Sequence, residues 1–557
     1  MKKPFFTFLS LIIIATSATF GQTQVSSKQF EEYKNFPQEK IYVHYNSDFI
    51  VTGEQLLFKI YSLNKNNNTL SNLSKIAYVQ LLNNKKEVVF EKKIKLKNGL
   101  GQGDFFITSN IKSGEYKLVS FTNLMKNKNN YFSENVTIIN PFSNRILVDK
   151  NATKYNNKTV ESTNIILNKN DFNKRSLVNI TLNNLNNLQN VSLSVRKKTE
   201  SIYPKKNSNN FTNNKGKSQT KNRVFLPDLR GDLLKGKITT NNKNLSLDNV
   251  SIGLSIIQKN GISKISKTNN KGEFYFNLKE DYIADKAYIK VLNNNKGYKL
   301  SVIKNNNPDY SNLQFNKVII TKEQEKTIKE RSIYSQIENA YNSQKKDSIL
   351  NSYNIPSILK NRKIISFKLD DYKRFKTMKE TMVEVITHAW INKEKDGDVF
   401  YVRGNGIDLT PIKPIVIVDN YIVSNHQEII DFDTKEINAI YLVRDILKIN
   451  GEIYRGIIFI DTFKGDYKPI FSFNNMLSIN LNKPQPTKKY YSPDYSKQNN
   501  KRIPDFRTQL LWLPNIDATK ENISFYTSDV TGDFEIEIEG FTQKGKPISM
   551  KKTFTVK

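Results

Sequence analysis

The sequence predicts a mainly β protein, a series of sandwiches with one α+β domain among them. Three observations carry this. Short runs of alternating apolar and polar residues recur from residue 38 onward, with Gly and Asn between them. Only two long stretches, 321–350 and 377–391, repeat apolar residues at helical spacing. Between Val402 and Asp466 two continuous apolar runs, Pro414 to Val418 and Ile457 to Ile460, read as central strands of one small sheet covered by the second helix.

The chain opens with the basic pair Lys2 and Lys3, an apolar run Phe5 to Ile14 and small residues from Ala15 to Gly21. That is the order of a secretory signal peptide, with cleavage expected after Gly21. The apolar run is too short for a permanent span, and no Cys stands at the cleavage site for lipid attachment. The expectation is an exported protein, in the periplasm or associated with the outer membrane. With no Cys in the chain, disulfides, thiolate metal sites and thioesters are excluded, so the folded parts must rest on apolar cores. At about 100–200 residues per domain, four or five domains are expected. The net charge of +33 has two readings, an anionic partner or codon bias that places Asn beside Lys, as in residues 64–69 and 126–130. No segment gathers Arg with aromatics as a nucleic-acid surface does, so no nucleic acid is expected.

After the leader, residues 22–142 form a first sandwich, with strands at 41–43, 55–61, 76–82 and 116–121. Residues 143–204 read as a second, with strands at 163–167, 177–182 and 191–195. Residues 205–228 begin with a polar run of Asn, Ser, Lys and Gly that cannot bury a core, a linker. Residues 229–320 form a further small sandwich whose Asn270-Lys271-Gly272 is a hairpin turn needing positive φ at Gly272. In the helical connector 321–366, Ile328, Ile333, Ile337 and Tyr341 make a thin apolar stripe, suited to packing on a neighbour. Residues 367–467 form the α+β domain. Thr377 and Glu380 make a capping box, and Met378, Met382, Val385, Ile386 and Ala389 line the helix's apolar face. A Pro- and Tyr-rich connector, 468–504, leads to closing strands in 505–557, whose missing partners are expected from an earlier sandwich.

The run of Arg403-Gly404-Asn405-Gly406, the strand ending Val418-Asp419-Asn420 and the strand pair ending Phe463-Lys464-Gly465-Asp466 resemble, in order and spacing, the plug domain of SusC/RagA-type TonB-dependent receptors. Fewer than about a hundred residues follow Asp466 here, against the many strands of about ten residues that a receptor barrel needs. The resemblance therefore implies a plug without its barrel. Residues 38–140 are similar to the macroglobulin-type domain, with Gly101 and Gly103 expected at a bend and Ser113-Gly114 at a turn. Residues 229–305 are similar to the carboxypeptidase regulatory-like domain, with Gly236 expected where the first strand turns. The whole order resembles a Bacteroidetes-type envelope protein built from serial immunoglobulin/macroglobulin-like β-sandwiches and one α+β plug-like domain.

Catalytic signals are sparse. His44, His388 and His426 are scattered over a strand, a helix and a loop, without metal-ligand spacing. No nucleophile-elbow motif is present. Asp370-Asp371 and Asp431 with Asp433 are the nearest carboxylate pairs, and caps or turns explain them better than glycoside chemistry. The expectation is a non-enzymatic accessory or scaffold protein with no cofactor. It would bind an outer-membrane protein partner, in nutrient uptake or envelope assembly, and touch the membrane only through that partner. The alternatives are a cell-surface enzyme module for glycans or peptides, and a surface-exported adhesin-like protein whose last strands are loosely similar to type 9 sorting domains. The expected partner-binding residues are Arg403, Asn405, Tyr490, Tyr491 and Tyr495, on exposed loops whose residue types suit interfaces.

Overall fold

The computed structural model describes residues 37–557 apart from 144–146, 149–160, 184–189, 200–204, 216–224, 226, 293–296, 351–355, 357, 396, 407–410, 470–475, 497–501 and 517–521. The signal-peptide reading of residues 1–21 lies outside the described residues. The chain is mainly β, with sandwiches in series and one α+β unit.

The first sandwich packs the three-stranded sheet of Glu39–Tyr45, Gln55–Asn64 and Leu100–Phe106 on a larger sheet built on Ile76–Leu82, Val88–Lys95, Gly114–Phe121 and Asn130–Ile139. Alternation sorts its first strand. Ile41, Val43 and Tyr45 point to one side of the strand, into the apolar core, while Tyr42 and His44, opposite Tyr61 and Lys59, point to the other side and are buried against residues 192 and 537–539. Gly101 and Gly103 stand inside a strand rather than at a bend. A Cβ on Gly103 would come within 2.6 Å of the Phe58 ring and 2.7 Å of Ile94, so the glycine serves close packing of the two sheets. Gly236 likewise lies within the strand Asp232–Thr240.

The strands after residue 160 do not form a sandwich of their own. Ser192–Lys197 lies between Gln509–Leu513 and Gly532–Phe541, antiparallel to both. Leu177–Leu182 pairs with Asn522–Tyr526. The closing sandwich is thus made from 161–197 and 505–557, with one core running from Ile165 to Val556. The segment read as a linker is also integrated in its described part. Phe211 packs on Tyr42 with ring centroids 5.0 Å apart, and Asn213–Lys215 extends the first sandwich beside residues 130–132.

The middle sandwich sets the sheet of Glu273–Leu278, Asp232–Thr240 and Tyr298–Val302 against Ile262–Lys267, Ser251–Ile256 and Lys286–Val291. Gly272 has φ +74° in the expected turn. A seventh strand, Met476–Asn480, returns from beyond the α+β unit to pair with Lys286–Lys290. Further along the same connector, Pro484–Gln485 pairs with the first sandwich and Lys488–Lys489 with Ser348–Ile349. The connector therefore stitches domains together.

Helix α1, Lys322–Ala340, starts with a capping box of Thr321 and Gln324. The expected stripe is kept in part: Ile328 is buried and Ile337 and Tyr341 are half-buried, but Ile333 is 56 % exposed, and Arg331, Ser332 and Ser335 supply the rest of the buried face. A bidentate ion pair of Arg331 with Glu54 holds the helix against the first sandwich.

The α+β unit has one five-stranded sheet, in the order Ile365–Lys368, Ile437–Ile449, Glu452–Thr462, Ile415–Val418, Tyr421–Val423. Ile415–Val418 runs parallel to Ile457–Ile460 at its heart. Helix α2, Met378–Glu384, and the short α3, Gln427–Ile430, cover one face through Met378, Met382, Ile429 and Ile430. Helix α2 stops well before residue 391. His388 takes φ +67°, and Ala389–Glu394 becomes a strand paired with Gly397–Val402. The helical apolar spacing runs on to Ala389, but from there the residues also alternate. Ala389 and Ile391 pack inward, while Trp390 stacks on Tyr401 at 5.6 Å, a cross-strand pair that favours the hairpin. Asp419 and Asn420 form a two-residue turn with φ +47° and +73°. The Asp419 carboxylate accepts hydrogen bonds from the Thr462 N–H (2.8 Å), the Thr462 hydroxyl (2.6 Å) and the Tyr467 N–H (3.0 Å), tying the turn to the end of the neighbouring strand.

Candidate functional site

A cleft of about 240 Å³ opens where the first sandwich, the closing sandwich, helix α1 and the Tyr-rich connector meet. Its apolar wall includes Leu57, Leu511, Trp512 and the stacked rings of Tyr334 and Phe506, 5.3 Å apart. Its charged groups come from separate segments. Arg331 pairs with Glu54, and Lys345 with Glu338 at 2.7 Å. Arg507 forks onto Asp505 through two bonds of 2.7 Å. Burial alone would raise the Asp505 carboxyl, but the Arg507 guanidinium outweighs it and holds the group low. Arg196 and Lys197 complete the lining at the end of the strand Ser192–Lys197.

Behind Trp512 lies the seam between the two sandwiches, where polar side chains replace apolar ones. His44 Nδ1 is 2.7 Å from Ser192 Oγ, and His44 Nε2 is 3.3 Å from Glu537 Oε2. Glu537 also meets Lys205 at 2.7 Å and Lys551 at 3.2 Å. Burial would raise the Glu537 carboxyl, yet Lys205, Lys551 and His44 together hold it well below the usual range. An ionised Glu537 fixes the tautomer: Nε2–H donates to it and Nδ1 accepts from the Ser192 hydroxyl. Burial lowers His44 to about 4. Next along the strand, Glu539 accepts from Tyr42 at 2.9 Å and Ser549 at 2.6 Å, and burial with the neighbouring Glu537 raises its carboxyl.

Ser192, His44 and Glu537 stand in the order of a hydrolytic triad, a juxtaposition that no local motif announces. Its setting differs from an active site. Ser192 and His44 are fully buried, and none of the three lines the cleft. The Trp512 ring packs on His44 at 5.1 Å, and Tyr61 engages the Ser192 hydroxyl at 2.9 Å.

The residues expected at a partner surface fall in two places. Tyr490 and Tyr491 line the cleft. Tyr490 is half-buried and donates to Asp104 at 3.3 Å, so it is a packing residue as well. Tyr495 is only 6 % exposed. It donates to Asp505, lies edge-on to Tyr526 and carries the Arg175 guanidinium 5.1 Å over its ring. The expected exposed Tyr495 is thus corrected to a buried one, because its aromatic face is used by the closing sandwich. Arg403 and Asn405 are exposed in the α+β unit. Their turn is pinned from below: Arg444 donates to the carbonyls of Arg403 (2.8 Å) and Gly404 (2.9 Å), and Asn405 donates to Asp445 at 3.1 Å.

The remaining candidates are structural in their contacts. His426 accepts from the Phe400 N–H at 3.1 Å. His388 sits in an exposed turn after α2 rather than in the helix. Asp433 caps the short helix at Thr434–Glu436, and exposed Asp370 pairs with Arg374. Among the described residues no group of three or more His, Asp or Glu converges as a metal site would, and no helix is long and apolar enough to cross a membrane. Sequence reasoning missed Arg196, Lys197, Arg331 and Trp512. Only Trp512, one of two Trp in an apolar run, carried a signal.

No family model and no curated protein matches the sequence. Among solved structures the chain is similar to the alpha-2-macroglobulin of Escherichia coli activated by porcine elastase, at 7 % identity over 93 % of this chain and 44 % of that one, TM-score 0.22. It is similar to Salmonella alpha-2-macroglobulin reacted with methylamine, at 8 % identity over 96 % and 40 %, TM-score 0.22. It is also similar to dimeric latent PorU of Porphyromonas gingivalis, at 11 % identity over 52 % and 34 %, TM-score 0.17. The chain spans less than half the length of each. At such TM-scores these likenesses carry no functional argument, and the mainly β architecture stands on the chain's own sheets.

Proposed function

We propose that this chain is a non-enzymatic accessory protein, exported to the periplasm or the outer membrane, that holds a partner protein in nutrient uptake or envelope assembly. The observation that supports this most is the cleft, which Trp512, Tyr334, Tyr490, Tyr491 and several arginines line together. Those residue types supply apolar area and hydrogen bonding together and dominate binding hot spots. The signal-peptide pattern supports export. The α+β unit, with its resemblance to a receptor plug, supports an outer-membrane barrel protein as the partner, met at the Arg403–Gly406 turn. The test is recovery of partners by the tagged chain from solubilised outer membranes, with Arg403→Glu and Tyr491→Ala compared. One barrel protein recovered in stoichiometric amount by the wild type, and severalfold less by a variant with unchanged melting, is the expected result. Equal recovery of unrelated proteins by all three refutes the reading.

A second reading, an enzyme module acting on peptides or glycans, has one observation in its favour, the Ser192–His44–Glu537 geometry. A serine-directed fluorophosphonate distinguishes it: labelling of Ser192 in the native chain favours the enzyme, whereas labelling only after denaturation favours a structural seam.

A further inference from the structure

The hydrogen-bonding capacity left over in the cleft is all of one kind. Its three carboxylates are engaged: Glu54 by Arg331, Glu338 by Lys345 and the Phe506 N–H, and Asp347 by the Tyr491 N–H at 3.0 Å. Its cations are not all engaged. Among the described residues, Arg196 donates to the hydroxyls of Ser47 (2.9 Å) and Thr199 (3.4 Å). Neither Arg196 nor Lys197 has a carboxylate within 4 Å among the described residues. Among the described residues, two buried donors on cleft-lining residues also have no partner, Nη1 of Arg331 and the indole N–H of Trp512, on residues 5 % and 3 % exposed. Among the described residues, no acceptor on a cleft-lining residue is left buried and unpartnered. A buried unmet donor costs about 1–3 kcal/mol, so native structures keep few of them without a reason.

We infer that the cleft takes the terminal carboxylate of a peptide whose last side chain is apolar. The carboxylate supplies acceptor oxygens to Arg196 at the strand end, in the charge-assisted geometry that guanidinium groups favour. The apolar side chain lies against the apolar wall of the same cleft, to which Leu57, Leu511 and Trp512 contribute. A bare phosphate matches the donors and leaves the apolar wall uncovered. A neutral chain matches the wall and leaves the cations unmet. Capture of a chain end by backbone and side-chain donors is a recurring mode of peptide recognition. The inference rests on the partner-binding reading and names the chemistry of what is bound.

The experiment uses the full chain with Trp390→Phe, which leaves Trp512 as the sole indole. Its emission is followed during titration with N-acetyl-Ala-Leu as the free acid, with the same dipeptide as its amide, and with inorganic phosphate. The free acid is expected to give a saturable change, the amide to bind at least about tenfold more weakly, and phosphate to give no saturable change at the same concentrations. Arg196→Ala is expected to weaken the acid by about tenfold or more with unchanged melting. Acid and amide titrating alike, saturation by phosphate, or no saturable change with the acid up to about 10 mM overturns the proposal. The two readings fail separately. Partner recovery that persists while the wild type binds no acid refutes the carboxylate site alone. Acid binding with no partner recovered refutes the partner reading alone.

Discussion

At the scale of single residues, the buried histidines set a pH dependence whose sign can be worked out. His44 is lowered to about 4 by burial, with Glu537 opposing and Lys205 and Lys551 adding to it. Ser192, Trp512 and, across the strand pair, Lys59 complete its surroundings. His426 is lowered to about 4 by burial and Lys413. A histidine released by unfolding titrates near 6.5, so between about 6.5 and 4 the unfolded chain binds more protons than the folded one. Stability is therefore whole above that window and falls as pH falls through it. Thermal melting at pH 7.5, 6 and 4.5 checks this. His44→Gln is expected to flatten part of the slope and to cost about 1–3 kcal/mol at pH 7.5, because Glu537 and Ser192 lose a partner. His426 keeps the rest of the slope. Of all this, the residue types were legible in the sequence, but the burial that moves them was not. The same holds for Tyr495, whose fate depends on Arg175 and Asp505.

At the scale of elements, what was legible was whatever local physics fixes. The Thr377–Glu380 capping box forms at the start of α2 as its spacing demands, with both reciprocal bonds present. Thr377→Ala is expected to cost about 1 kcal/mol, read as a shift in the denaturation midpoint, whereas Val383→Lys, at a residue 68 % exposed, should be neutral. The end of the helix was not legible. Residues 385–391 fit a helical face and a strand about equally, and the Trp390–Tyr401 pair decided for the hairpin. Helix α1 shows the converse. Its existence followed from apolar spacing, but of the isoleucine stripe only Ile328 is fully buried, and the rest of the inward face centres on Arg331 and its ion pair with Glu54.

At the scale of the molecule, the chain closes on itself. Ser192–Lys197 has both of its neighbours in the last fifty residues, so it cannot bury its core face until 505–557 arrive. A chain truncated after Pro504 is expected to lose hydrogen-exchange protection at 177–182 and 192–197 and to keep it at 437–462, whose partners lie within the α+β unit. Protection retained at 192–197 would show that the early strands fold alone. The sequence by itself determined the β class, the strand alternation, the cap at Thr377, the turn at Gly272, and the continuous strands at 415–418 and 457–460. These depend on side-chain periodicity and backbone sterics within a few residues. Only the tertiary structure decided that two half-sandwiches complete each other across more than three hundred residues, that a Ser–His–Glu chain lies buried at the seam between that sandwich and the first, and that a donor-rich cleft opens beside Trp512. Those features depend on which distant surfaces meet, and a strand's pattern fixes which face it buries without naming the partner that buries it.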